Sequence, residues 1–206
     1  MDRYLLPMVV CVLLVCCAFC GCSQTEQDRA VAEITRLGGV VEFDMESPGR
    51  LVILVGLAGP QVTDAGLDHV KGLAQLQSLV LCNTKVTDAG LAHLKGLSRL
   101  QSLALIGNNV TDAGLEHLKG LTQLKWLALG GPQITDAGLV HLKRLTQLQT
   151  LSLVDTQITD AGLKHMEGLT QLRALLAGGT GVTDAGICDL KKVLPKCMVT
   201  LAPKAN

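Results

Sequence analysis

Residues 76–99 read LQSLVLCNTKVTDAGLAHLKGLSR, and the pattern restarts at Leu100 without a gap. Its most constant fragment, VTDAGL or ITDAGL, begins at Val62, Val86, Val110, Ile134 and Ile158, and returns as VTDAGI at Val182. Each start lies 24 residues after the one before. A fixed period of this length is the signature of a solenoid, because a single unit has no second layer against which to bury its apolar face. Two rhythms share the period. Leu79-x-Leu81 alternates with period two, which predicts a short strand with one face buried. Leu91, Leu94 and Leu97 keep a three-residue spacing, which predicts a short helix and its exit. Thr87 suits an N-cap, and Asp88 falls in the first turn, where the helix dipole favours a carboxylate. Val86 and Leu91 fit a hydrophobic staple. Lys95-Gly96 marks the helix end, and Gly90 with its equivalents is expected to let adjacent helices approach.

Stacked units align their strands into a sheet along one side and share a continuous core. The pattern resembles the leucine-rich repeat family from Leu51 to Leu201. The TDAGL segment is similar to the cysteine-containing subclass found in F-box substrate adaptors, and closer still to small secreted bacterial leucine-rich repeat proteins. This resemblance implies an α/β solenoid, with a parallel sheet on one side and short helices on the other, that binds protein through its sheet face. The column that is Asn in the family reads Pro60, Thr84, Asn108, Pro132, Thr156 and Thr180. Thr is expected to bond the turn backbone at shorter reach, and the two prolines are not. An F-box-like ubiquitin-ligase adaptor is the alternative function, but no F-box segment is seen between the leader and the repeats.

The ends differ from the repeats. Residues 1–22 carry one basic residue, Arg3, then an apolar stretch from Leu5 to Cys20, the shape of a secretory leader. Gly21-Cys22 resembles the end of a bacterial lipoprotein signal, which implies lipid attachment at Cys22. Ordinary cleavage and a retained apolar anchor stay open. The expected localisation is extracytoplasmic, membrane-anchored or secreted. Residues 23–50 read as a linker and N-terminal cap, with a helix over 27–37 stopped by Gly38-Gly39, and strand-like Val40 to Phe43. The repeats fill 51–186, and 187–206 is a C-terminal cap and tail, its last residues frayed.

Composition sets limits. Eighteen Lys and Arg balance eighteen Asp and Glu, so net charge offers no footprint for nucleic acid. Aromatic residues are only 2% of the chain, so the core must be aliphatic. After the leader only Phe43 and Trp126 remain. No phosphate-binding loop, nucleophile elbow or strand-borne dinucleotide motif occurs, so no enzyme and no cofactor are expected.

Three columns of strand positions face outward. One runs Leu54, Ser78, Ser102, Trp126, Thr150 and Ala174. The next runs Gly56, Val80, Ala104, Ala128, Ser152 and Leu176. The third runs Ala58, Cys82, Ile106, Gly130, Val154 and Gly178. None is charged. A smooth, mildly apolar face with one Trp suits a protein or peptide partner. The candidate binding residues are Trp126, Ser78, Val80, Ser102, Ile106, Thr150, Val154 and Leu176. The histidine column (His69, His93, His117, His141, His165) is a row of single imidazoles without the further ligands a metal needs. The aspartate column (Asp64, Asp88, Asp112, Asp136, Asp160, Asp184) is expected to cap helices rather than do chemistry. Cys188 and Cys197 could pair, but two small buried residues are the favoured reading.

Overall fold

The computed structural model describes residues 26–47 and 49–201. The apolar leader, Cys22 and the C-terminal tail from residue 202 lie outside the described residues. The chain opens with a helix, α1 (26–36). Strands β1 (Val40–Asp44), β2 (Leu51–Ala58), β3 (Ser78–Cys82), β4 (Ser102–Ile106), β5 (Trp126–Leu129), β6 (Thr150–Ser152), β7 (Ala174–Leu176) and β8 (Met198–Thr200) follow in one sheet, in sequence order. Neighbours from β2 to β8 are parallel, as the repeat requires. β1 is the exception: it lies antiparallel on β2, with Val40 opposite Gly56, and closes the first edge. Phe43 packs against the core from this cap, with the Arg50 guanidinium 4.9 Å above its ring.

Residues at the same place in the repeat pair across the sheet. Leu79, Leu103, Leu127, Leu151 and Leu175 are successive partners, and all are fully buried. The helical side supplies Leu91, Leu94, Leu97 and their equivalents to the same core. Most of these side chains are leucine, which packs well against its own copies and needs no polar partner.

The returning limb is less helical than expected. α2 (Asp64–Asp68), α3 (Asp88–Leu91) and α4 (Asp160–Leu163) are one-turn helices. The units starting at Val110 and Ile134 have only 3₁₀ turns, Gly114–Leu118 and Gly138–Arg144. Only α5 (Asp184–Val193), at the end of the stack, makes several turns. A 24-residue unit leaves room for little more than one turn between the strand exit and the strand entry.

The aspartate column does more than decorate helix starts. The first five carboxylates, Asp64 to Asp160, each reach into the following unit. Asp88 Oδ1 accepts from the Thr111 backbone N–H at 2.8 Å, and Oδ2 from the Thr111 hydroxyl at 2.6 Å. The pairs Asp64–Thr87, Asp112–Thr135, Asp136–Thr159 and Asp160–Thr183 repeat this geometry. With its proton committed to the aspartate, the Thr111 hydroxyl accepts from Ala113 N–H at 3.3 Å and so caps its own turn. The expected N-cap role of Thr is therefore present, while Asp acts between units rather than within one. Thr63, with no unit of this kind before it, has no side-chain cap bond.

The glycine of TDAG follows from the same contact. A Cβ on Gly114 would land on Asp88 Oδ1, with Asp88 Cγ 2.9 Å away. Gly90, Gly138, Gly162 and Gly186 meet the preceding unit's aspartate in the same way. The close approach expected at Gly90 is thus an approach to a carboxylate. The glycines at helix ends differ: a Cβ on Gly96 would meet nothing within 4 Å, and Arg144 stands at the equivalent position.

A second column was not anticipated. The residue before the Asn-equivalent position has positive φ in every unit: Gly59, Asn83, Gly107, Gly131, Asp155 and Gly179. Here the chain leaves the strand and turns toward the helical side, and only Gly, Asn or Asp takes a left-handed backbone cheaply. In the next column Asn108 donates to Leu81 C=O at 3.0 Å, and its Oδ1 accepts from Thr84 N–H and the Thr84 hydroxyl. Thr156 and Thr180 donate to the carbonyls of Leu153 and Ala177, the shorter-reach bond expected of Thr. At Pro60 the neighbouring Gln61 takes over, donating to Ala58 C=O at 2.8 Å.

Two outcomes follow. Asp155 sits exposed at φ 58°. Asp155→Val should lower stability by about 1–2 kcal/mol, the left-handed penalty, whereas Asp155→Gly should change it by a few tenths at most. Urea unfolding measures both, and equal effects would contradict the backbone explanation. The Thr183 hydroxyl and N–H hold the Asp160 carboxyl below its ordinary range. Bonds to Lys71 and Lys119 do the same for Asp68 and Glu116. A carboxyl depressed in the folded state adds stability that is complete above the unfolded value, near pH 4, and is lost as pH falls through the folded value. The melting temperature should be level from pH 7 to about 5 and then drop. Asp160→Asn should make the drop shallower.

Candidate functional site

Strand pairing puts the outward residues where their columns require. Leu54, Ser78, Ser102, Trp126, Thr150 and Ala174 are successive Cα partners, and Met198 extends the row. The second row, Gly56 through Val80, Ala104, Ala128 and Ser152 to Leu176, is equally continuous. The third row holds only through Ala58, Cys82 and Ile106, because β5, β6 and β7 end before it. Two expectations need correction here. Ala104 and Ala128 are buried at 3% and 1% exposure and offer no surface. Gly178 is also buried and offers no surface.

The eight candidate binding residues all keep some exposure. Ser78, Val80, Ser102, Thr150 and Val154 are half-buried, and Ile106, Trp126 and Leu176 are exposed. Trp126 opens β5 between Ser102 and Thr150. Both neighbours are small, so the ring stands above the sheet at 37% exposure. None of the three rows is charged, and Lys125 and Asp155 stand at their margins. Lys125 donates to Gln101 Oε1 at 2.9 Å.

Toward the strand exits the face sinks into a depression of about 480 Å³ lined by Ile106, Gly130, Gly131, Ser152, Val154 and Asp155. It exists because Gly130-Gly131 brings no side chain between Ile106 and Val154. Trp126 and Gly130 lie four residues apart on one face, about 13 Å at strand rise. A raised aromatic and an apolar hollow thus lie within one peptide-sized span. The hollow was legible as the GlyGly pair at 130–131, which no other repeat joins to a following Pro and Gln.

Other candidates resolve differently. The five histidines are half-buried on the helical side. His93 Nδ1 lies 3.4 Å from Asp68 Oδ1, and His117 Nδ1 is buried without a partner. Among the described residues no three His, Cys, Asp or Glu side chains gather to hold a metal. Cys82, Cys188 and Cys197 are free thiols. The reading of Cys188 and Cys197 as two buried fillers holds for Cys197 alone, where burial raises the thiol pKa. Cys188 lies on the exposed side of α5.

A family model for the leucine rich repeat matches residues 74–134. No curated protein matches the chain. Among solved structures, an internalin from Listeria monocytogenes is 30% identical with a TM-score of 0.55. That match covers 68% of this chain and 37% of the internalin, so the chain spans little more than a third of its length. Internalin C2 of the same organism is 20% identical with a TM-score of 0.46, covering 84% of this chain and 92% of its own. A leucine-rich repeat protein from Leptospira interrogans is 20% identical with a TM-score of 0.48, covering 65% and 39%. The repeats described above, the match over residues 74–134 and the first internalin agree on one architecture: the chain has the α/β leucine-rich repeat solenoid fold.

Proposed function

We propose that the protein is a non-enzymatic docking or scaffold protein of the bacterial cell envelope, which holds a protein or peptide partner on its strand face around Trp126. The observation that carries this reading is the uncharged face itself. It sets an exposed Trp126 above small residues, within reach of the hollow between Ile106 and Val154. Partly exposed aromatics ringed by small residues are common anchors of protein interfaces. The Ser and Thr hydroxyls of the first row can bond a partner's backbone beside that anchor. The envelope assignment rests on the sequence: the apolar leader, Gly21-Cys22, and units that resemble those of small secreted bacterial leucine-rich repeat proteins.

The test is affinity capture with the intact chain, in parallel with Trp126→Asp and with Arg99→Glu, an exposed change off the strand face. A partner held by the parent and by Arg99→Glu should bind Trp126→Asp at least about 30-fold more weakly, the scale of an aromatic hot spot. A partner held equally by all three proteins would place the docking site elsewhere.

A further inference from the structure

The balanced net charge conceals a segregation. Within residues 58–197, the outward and inward residues of strands β3 to β7 carry no charge. Every charged residue falls on one of two limbs. Where the chain passes from the returning turn into the next strand (70–77, 94–101, 118–125, 142–149, 166–173 and 190–197), there are eleven Lys or Arg and one carboxylate, Glu167. Where it passes from strand to turn and through the helical segment (58–69, 82–93, 106–117, 130–141, 154–165 and 178–189), there are ten Asp or Glu and two Lys. Stacking places all limbs of one kind along one edge of the solenoid. One edge is therefore strongly basic and the limb that leads into it acidic, the two meeting at the ends of the returning turns.

The basic side chains are all exposed. Lys71, Lys119 and Lys192 are paired with Asp68, Glu116 and Asp189 three residues earlier. The other eight, among them Lys95, Arg99, Lys143 and Arg144, make no ion pair among the described residues. Six units at about 4.8 Å spread this charge over roughly 24 Å in a line. No aromatic side chain stands among these residues to stack a base. A periodic row of exposed basic side chains, without rings to stack bases, suits an anionic lipid surface.

We propose that this basic edge rests on an anionic phospholipid surface, holding the solenoid edge-on so that the strand face stands away from the bilayer and stays open to its partner. This extends the envelope reading and rests on it. A leader or lipid anchor keeps the chain at the membrane, and that proximity lets many weak charge contacts act together. Each basic residue near an anionic surface strengthens binding by about fivefold.

The test is co-sedimentation of the full chain with phosphatidylcholine vesicles, and with vesicles in which three tenths of the lipid is phosphatidylglycerol. The side-chain charges of the leader, Asp2 and Arg3, cancel, so the leader distinguishes the two kinds of vesicle only through its α-amino group, which the substituted variants share. Binding to neutral vesicles reports the leader and the envelope reading, and the anionic-to-neutral ratio reports the edge. The expected ratio is tenfold or more in dilute salt, collapsing in 0.5 M NaCl. Lys95→Gln, Arg99→Gln, Lys143→Gln and Arg144→Gln together should lower it at least fivefold. Lys95→Arg with Lys143→Arg should preserve it, and thermal melts show that the variants fold. A parent ratio near one, or a ratio untouched by the four changes, overturns the proposal. So does tighter binding to a soluble DNA duplex than to anionic vesicles at equal phosphate, which would assign the edge to a polymer.

Discussion

The contact between an aspartate carboxylate and the threonine of the next unit organises the whole solenoid. Stacked leucines would tolerate sliding and twisting, because apolar contact is not directional. Two hydrogen bonds from one threonine to the two oxygens of one carboxylate are directional, and they recur across five successive junctions. They set where each returning turn begins relative to its neighbour. They also require a glycine two residues after the next aspartate, since a methyl group there would occupy the space of the carboxylate. Thr, Asp and Gly of the TDAG string thus satisfy one geometric condition spread over two units. Each inner unit takes part in two such junctions, which favours a period without gaps.

With spacing fixed on the helical side, the strands opposite are free to vary outward. Their inner residues fill the leucine core, and most of their outer residues, the buried Ala104 and Ala128 apart, meet solvent. That freedom leaves an uncharged face with one raised Trp126 and a hollow at Gly130-Gly131. The limbs between sheet and helices carry the charges, basic on one side and acidic on the other. Core, junction, face and edge are therefore separate parts of each unit, and a change in one need not disturb another.

The repeat, the strand columns and the core were legible because each rests on a rhythm within one unit. Leu79 and Leu81 declare a strand by alternation, and copying declares the register of Ser78, Ser102 and Trp126. The partner of Asp88 was not legible in that way. It is Thr111, 23 residues later, and nothing in one unit says which neighbour a carboxylate meets. The left-handed column was readable, since Gly, Asn and Asp alone occupy positions 59, 83, 107, 131, 155 and 179. The period-two and period-three rhythms that reveal leucines pass over it. The burial of Ala104 and Ala128 escaped because alternation assigns a face, not how much of a small side chain on that face solvent reaches. Zero net charge pointed away from anionic partners, because a sum over the chain has no geometry. Folding the limbs onto two sides restores it.

A double-mutant cycle at one junction tests the central contact most directly. Asp88 and Gly114 are suited to it, since the three atoms nearest a Cβ on Gly114 all belong to Asp88. Gly114→Ala alone should lower the free energy of unfolding by about 1–3 kcal/mol, as overpacking does. In an Asp88→Ala background the same change should cost clearly less, because the carboxylate is gone and only the Cα of residue 88, 3.2 Å from a Cβ at 114, still crowds it. Strictly additive effects of the two substitutions would contradict the junction as the interaction that fixes the stack.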